Sequence, residues 1–233
     1  MSKGGNHMRM ESERALIAEY GRKMSTDGLA RGTAGNISIY NPELGLMAIS
    51  PSGLGYFDTT PEDVCVCDLD GKVADGTRKP SSEHGLHAAF YKEKASQGCL
   101  AIVHTHSDYA TTLACMGEPI RAVHYVIATA GTNEIPICGY TTFGTPELAE
   151  MAVKACTHGN AVLLANHGLV AFGKDLKKAY NIAGNMESLA KTQWQCMCAG
   201  KMNVLTKEQI DAVLVRFQTY GQTTSKPGEL KGY

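Results

Sequence analysis

Between residues 11 and 24 the apolar side chains Leu16, Ile17, Tyr20 and Met24 fall at helical spacing, and Asp27-Gly28 closes the segment. The period then shortens to two. Ile37-Ser38-Ile39-Tyr40 alternates as a strand does, residues 46–50 form a second strand, and Asn41-Pro42 opens the turn between them. Residues 64–69 and 72–74 flank Asp70-Gly71, a pair suited to a hairpin because both positions tolerate positive φ. Lys79-Pro80 forces an extended step, and Ser81-Ser82-Glu83 opens a helix to about Lys94, with serine placed to cap it. Residues 99–105 are an apolar strand and 109–116 a short helix, while 123–130 fits helix or strand and 135–138 is short and β-branched. Thr145-Pro146-Glu147 is a cap followed by proline at the first helical position, in a helix to about Thr157. Strands at 161–165 and 169–172 enclose Asn166-His167-Gly168. Residues 175–199 form the longest helix, and a capping box at Leu205-Thr206-Lys207-Glu208-Gln209 starts the last one.

Strands cluster in the first third and alternate with helices afterwards, without an internal repeat or a Ser/Pro-rich linker. This pattern predicts an α/β fold: one domain, residues 11–221, built on a mixed central sheet with helices on both faces. Residues 1–10 read as an extraneous Gly-rich lead-in, and 222–233 as a mobile polar tail.

Composition narrows the class. The 233 residues are 43% hydrophobic and 19% charged, enough apolar matter for a substantial core. A formal net charge of -1 without a long basic run argues against nucleic-acid or membrane-surface binding, and no stretch approaches a membrane span. Eight cysteines without a C-x-x-C pair, mostly in apolar surroundings, predict free thiols in a reduced, cytoplasmic protein with no secretory leader.

Chemistry concentrates at the end of the strand Ala101-Ile102-Val103-His104-Thr105-His106. Positions two apart on a strand share a face, so His104 and His106 present two imidazoles side by side. Such a pair needs further ligands from elsewhere to hold a metal. His167, between two strands, and Glu83, at a helix start, are the natural candidates, and three imidazoles plus one displaceable carboxylate make a catalytic zinc site. His167 also reads as a turn residue, and Glu83 as a surface residue favoured by the helix dipole. His84, His87, His124 and His158 read as structural or surface residues. The loops Gly32-Thr33-Ala34-Gly35-Asn36, Ser52-Gly53 and Ser81-Ser82 offer backbone N–H groups and hydroxyls with little bulk. Converging, they make a cradle for a phosphate monoester; apart, they are ordinary turns.

In order along the chain stand G-T-A-G-N-I-S (32–38), S-P-S-G (50–53), P-S-S-E (80–83), H-T-H (104–106), H-Y-V-I-A-T-A-G (124–131), Y-T-T-F-G-T (140–145), N-H-G-L (166–169) and F-Q-T-Y-G (217–221). This series resembles the class II aldolase/epimerase family across nearly the whole chain. The resemblance implies a three-layer fold whose central sheet is mostly antiparallel. It implies a divalent metal, usually Zn2+, held by Glu83, His104, His106 and His167. It implies that Thr33, Gly35, Asn36, Ser52, Gly53, Ser81 and Ser82 hold the phosphate of a sugar phosphate. Tyr125, supplied by a neighbouring subunit, is then a proton donor, with Phe143 and Tyr220 at the aldehyde end and the active sites at the interfaces of a homotetramer.

The implied reaction is reversible cleavage of L-fuculose 1-phosphate to dihydroxyacetone phosphate and L-lactaldehyde through a metal-stabilised enediolate, with Glu83 as proton shuttle. Alternatives are an aldolase for a 5-deoxy- or methylthio-pentulose 1-phosphate, or an L-ribulose-5-phosphate 4-epimerase-like enzyme. The chain departs from the family's aldolases at Asn166, where they often carry a further histidine. Glu83, where the epimerases carry Asp, favours carbon–carbon cleavage, and the presence of all four metal positions sets the chain apart from the family's cytoskeletal relatives.

Overall fold

The computed structural model describes residues 8–217. Eight strands form one sheet: β1 (Asn36–Asn41), β2 (Leu46–Ile49), β3 (Cys65–Asp68), β4 (Val73–Asp75), β5 (Ala101–Thr105), β8 (Ile137–Cys138), β9 (Ala161–Leu164) and β10 (Gly168–Gly173). A separate pair joins β6 (Ile120–Arg121) to β7 (Glu134–Ile135). The order across the large sheet is β4-β3-β2-β1-β5-β10-β9-β8, antiparallel throughout except for β8 against β9. The helices are α1 (Glu11–Thr26), α2 (His84–Lys94), α3 (Asp108–Met116), α4 (Pro146–Ala155), α5 (Leu176–Cys198) and α6 (Lys207–Phe217).

Strand alternation splits the core in two. Ile37, Val103, Leu169 and Ala171 face one way and pack with Ile17 and Met24 of α1, Leu113 of α3 and Met186 of α5. Ile49, Ile102, Val170 and Phe172 face the other way and pack with Leu86 and Phe90 of α2 and Leu148 of α4. Each of these side chains is at least nine-tenths buried, and removing one of those larger than alanine from water contributes about 1.5–3 kcal/mol. The predicted α/β class and mixed, mostly antiparallel sheet with helices on both faces are observed.

Ala179, Ala183, Met186 and Ala190 make a stripe of mostly small residues along α5, which lets that long helix lie close to the central strands. The cysteines are free, and burial pushes the Cys67 and Cys99 thiols up to about 12, so they behave as small apolar side chains.

The structure resolves or adjusts several local expectations. The ambiguous segment is a 3-10 helix at Tyr125–Ala130, with the His124 ring accepting from the Val126 N–H. Residues 135–138 divide at Pro136 into the ends of two different sheets. The residue at the N-cap position of α2 is Glu83, one beyond the serines; its side chain makes no capping bond, and its own N–H donates to the Ser81 hydroxyl. The expected cap at Thr145 and the capping box of Thr206 and Gln209 are present, and Asp175 caps α5 by accepting from the Lys178 N–H. Met10 is buried in the core and the Arg9 N–H donates to Asp75. Tyr220 and the tail 222–233 lie outside the described residues.

Candidate metal and phosphate site

His104 lies at the middle of the sheet, with Asn36 of β1 opposite it on one side and Val170 of β10 on the other. It shares the face of Ile102, so its ring points toward α2, as does the side chain of Asn36. His106 follows two residues later, just past the end of β5. His167 occupies the tight connection from β9 to β10. Asn166 before it takes φ 54°, a left-handed conformation that asparagine tolerates better than most residues. Glu83 reaches the same point from the start of α2, and its carboxylate is free to do so because it caps nothing. The ligating atoms of Glu83, His104, His106 and His167 all lie within 4.8 Å of one another.

The donor set fits a cation. The His104 Nδ1–H donates to the Leu169 carbonyl at 3.0 Å, which leaves the lone pair of Nε2 aimed into the cluster. That atom stands 3.0 Å from Nε2 of His106, 3.3 Å from Nε2 of His167 and 3.2 Å from Oε2 of Glu83. Converging lone pairs and a carboxylate repel unless positive charge sits among them. Oε1 of Glu83 is buried without a hydrogen-bond partner, a second sign of a missing electrophile.

The electrostatics show the same demand for positive charge, which a proton on His104 Nε2 and a cation would compete to meet. Burial opposes ionisation of His104, but Glu83 overcomes it and raises that pKa above the ordinary value. Burial, aided by the charge on His104, drives His106 and His167 down to about 4, so both rings are neutral at pH 7, the form in which imidazole can ligate. Burial likewise disfavours the Glu83 carboxylate, yet His104, His167 and the Asn36 amide hold its pKa below the usual range.

Beside the cluster opens a cavity of about 310 Å³ lined by the predicted Thr33, Gly35, Asn36, Ser52, Gly53, Ser81, Ser82 and Phe143. Backbone bonds explain why loops distant in sequence meet there. Ser52 N–H donates to the Lys79 carbonyl, Ser81 N–H donates to the Ser50 carbonyl, and Pro51 bridges Pro80. Gly35 takes φ 72°, and a Cβ on it would stand 2.6 Å from the His104 carbonyl oxygen, so only glycine lets this loop lie against β5. The Tyr56 hydroxyl ties the same loop down by donating to the Gly35 carbonyl. None of the described lining residues is Lys or Arg, so an anion there is met by N–H groups and hydroxyls.

One expected residue, Tyr125, does not line this cavity in its own chain. Tyr125 is half-exposed and lines a different, apolar hollow with Val126, Val213 and Phe217, and Tyr220 is outside the described residues. Asn36 lines the cavity, but its amide is committed elsewhere: Nδ2 donates to Oε2 of Glu83 at 2.8 Å. Tyr140, Thr141 and Asn166 line the cavity without having been singled out as site residues. Tyr140 and Thr141 lie on a connecting segment and belong to the Y-T-T-F-G-T motif, of which only Phe143 was read as a site residue.

Comparison with known proteins places the chain. Residues 15–194 match the family profile described as Class II Aldolase and Adducin N-terminal domain. The chain is 45% identical over 215 residues to a 5-deoxy-D-ribulose 1-phosphate aldolase of Bacillus thuringiensis serovar kurstaki, covering 92% of this chain and 100% of that protein. It is 41% identical to a 5-methylthioribulose-1-phosphate/5-deoxyribulose-1-phosphate aldolase of Rhodospirillum rubrum, covering 91% of this chain and 93% of the relative. A solved L-fuculose 1-phosphate aldolase superposes with a TM-score of 0.87 at 39% identity, covering 92% of this chain and all of that one. With the sheet, the Glu/His cluster and the full-length relatives in agreement, this chain belongs to the class II aldolase family of lyases.

Proposed function

We propose that this aldolase acts on a 5-deoxy- or 5-methylthio-pentulose 1-phosphate, splitting it reversibly into dihydroxyacetone phosphate and a two-carbon aldehyde or its methylthio derivative. The observation that carries cleavage chemistry is the convergence of Glu83 on His104, His106 and His167 beside a cradle without cationic side chains. The pentulose reading is better supported than the L-fuculose reading, because the relatives named for it are 45% and 41% identical and the solved fuculose enzyme is 39% identical. Tyr140 and Phe143 give one end of the cavity an aromatic rim, which suits a methyl or thioether terminus.

Glu83, His104, His106 and His167 would hold a divalent ion, for which Zn2+ suits three imidazoles and a carboxylate. When bound, it supplies a Lewis acid for the charge that a ketone oxygen gathers as the adjacent bond breaks. The protein's own groups do the rest. Thr33, Ser52, Ser81 and Ser82, with the N–H groups of Gly35 and Gly53, anchor the phosphate and so fix carbons 1 to 3 against the cluster. As the bond between carbons 3 and 4 breaks, its electron pair stays with the three-carbon fragment. In the synthetic direction Glu83 takes a proton from carbon 3, and Tyr125 of a neighbouring copy, as donor, gives one to the aldehyde oxygen, which becomes the hydroxyl on carbon 4; cleavage runs both transfers in reverse, so one proton leaves that hydroxyl as one returns to carbon 3. The site is completed by association of copies, as the exposed position of Tyr125 outside its own chain's cavity suggests; the family resemblance makes that association four-fold, with Phe143 and Tyr220 facing the aldehyde.

The test is a side-by-side assay of zinc-loaded protein on 5-deoxyribulose 1-phosphate, L-fuculose 1-phosphate and L-ribulose 5-phosphate. The highest kcat/KM is expected for the first, with dihydroxyacetone phosphate released. A preference for the fuculose ester, or an isomer in place of two fragments, refutes the assignment.

A further inference from the structure

Behind Glu83 runs a chain of buried side chains that no step above has used. Asn36 and Ser38 lie two apart on β1, while Glu83, His87 and Tyr91 recur at every fourth position through α2, so the two rows face one another. The contacts interlock: Asn36 Nδ2 to Glu83 Oε2 at 2.8 Å, Asn36 Oδ1 to His87 Nε2 at 2.6 Å, His87 Nδ1 to Ser38 Oγ at 2.6 Å, and Ser38 Oγ to Tyr91 OH at 2.5 Å. All five residues are at least nine-tenths buried.

Donor and acceptor rules fix every proton in this row. A carboxylate only accepts, so the nitrogen of the Asn36 amide faces Glu83 and its oxygen faces His87. Nε2 of His87 must therefore carry the ring proton. Nδ1 of the neutral ring is then an acceptor, which makes Ser38 the donor to it and Tyr91 the donor to Ser38. The direction is Tyr91 to Ser38 to His87 to Asn36 to Glu83, without a break. Its effect on the carboxylate is unequal: Oε2 is engaged by Asn36, whereas Oε1 has no hydrogen bond.

We propose that His87 is a positioning residue: through Asn36 it keeps Oε2 of Glu83 an acceptor, so that the proton exchanged with carbon 3 of the substrate is carried on Oε1. The inference rests on the reading of Glu83 as proton carrier. Were Oε2 to take the proton, Asn36 would have to turn its oxygen toward Glu83 and present its NH2 to a ring nitrogen that already bears hydrogen. The buried row resists that reversal, because all of its members must turn over together.

Three measurements on the zinc-loaded protein test this. The first is incorporation of solvent deuterium at carbon 3 of dihydroxyacetone phosphate, which isolates the proton transfer from carbon–carbon cleavage. His87→Leu is expected to slow it about 10–100-fold, the usual cost of losing an outer partner of a metal site, with KM and zinc content unchanged. His87→Gln, which offers both an N–H and a carbonyl, is expected to recover most of the rate. The second is the nitrogen-15 spectrum of ring-labelled wild-type protein, expected to show the His87 proton on Nε2; it decides the matter even if His87→Leu does not fold. The third is zinc content by elemental analysis.

Wild-type exchange in His87→Leu, a ring proton on Nδ1, or zinc lost in step with activity each overturns the proposal. Undiminished exchange in Glu83→Gln overturns instead the reading of Glu83 as proton carrier. Exchange lost in Glu83→Gln but kept in His87→Leu leaves that reading standing and removes only the relay.

Discussion

Glu83 illustrates how a residue's role follows from what its neighbours leave undone. A carboxylate at a helix start ordinarily bonds the free N–H groups of the first turn, but here α2 receives no side-chain cap from it. Its charge is directed at two imidazoles instead, those of His104 and His167. Glu83→Gln keeps the volume and removes the base, so kcat for cleavage is expected to fall about 10²–10⁴-fold in a dihydroxyacetone phosphate release assay.

His87 supplies a second residue-scale prediction. Burial first, and then the charge on His104, lower its pKa from 6.5 to about 3. The folded protein therefore keeps His87 neutral in a range where the unfolded chain takes up a proton. That contribution to stability is present above pH 6.5 and is lost as pH falls toward 3, at about 1.4 kcal/mol per pH unit. In denaturant titrations of chelator-treated protein, wild type is expected to lose about 2 kcal/mol more than His87→Leu between pH 6.5 and pH 5. Parallel losses in the two proteins would contradict this account of His87.

At the scale of elements, most of the sheet was legible because each strand carries its own period-two pattern, and most helices because their caps are written in Ser, Thr, Asp and Pro. What was not legible came from outside the element. Residues 125–130 form a 3-10 turn whose sequence carries β-branched and small residues alike, and packing under α5 and α6 decides the outcome. The serines at 81–82 promised a cap, and the demand for Glu83 at the cluster moved it by one residue. His-x-His and the loop glycines announced the site. The row behind Glu83 stayed hidden because Asn36, Ser38, His87 and Tyr91 read as unrelated polar residues until β1 and α2 are brought face to face. The loop at Gly35 gives a direct check on element placement. Gly35→Ala forces a Cβ against the His104 carbonyl in a left-handed backbone, and is expected to cost about 1–3 kcal/mol of stability and most of the turnover. Thermal unfolding and the cleavage assay read the two effects, and an alanine variant with wild-type values in both would show that the loop does not press on β5.

At the scale of the whole molecule, no described helix is long and apolar enough to cross a membrane, and Tyr125 is an exposed aromatic that lines an apolar hollow with Val213 and Phe217. If each working site joins Glu83 of one copy to Tyr125 of another, then Glu83→Gln and Tyr125→Phe proteins, each impaired alone, are expected to regain activity when unfolded and refolded together. Mixed refolding that restores nothing would locate both residues in sites that a single copy completes. The sequence motifs, read against a known family, carried the fold and the reaction class; they did not carry the preferred sugar, because Tyr140 and Phe143, which line the cavity, lie on a connecting loop rather than on the sheet that the motifs specify.

The proposed chemistry depends most on Glu83, His104, His106 and His167 sharing one divalent ion. Anomalous diffraction at the zinc edge from crystals of the zinc-loaded protein tests that directly. A single strong peak per chain among the three Nε2 atoms and the Glu83 carboxylate is the expected result; no peak there, or zinc bound only at other residues, would contradict the account.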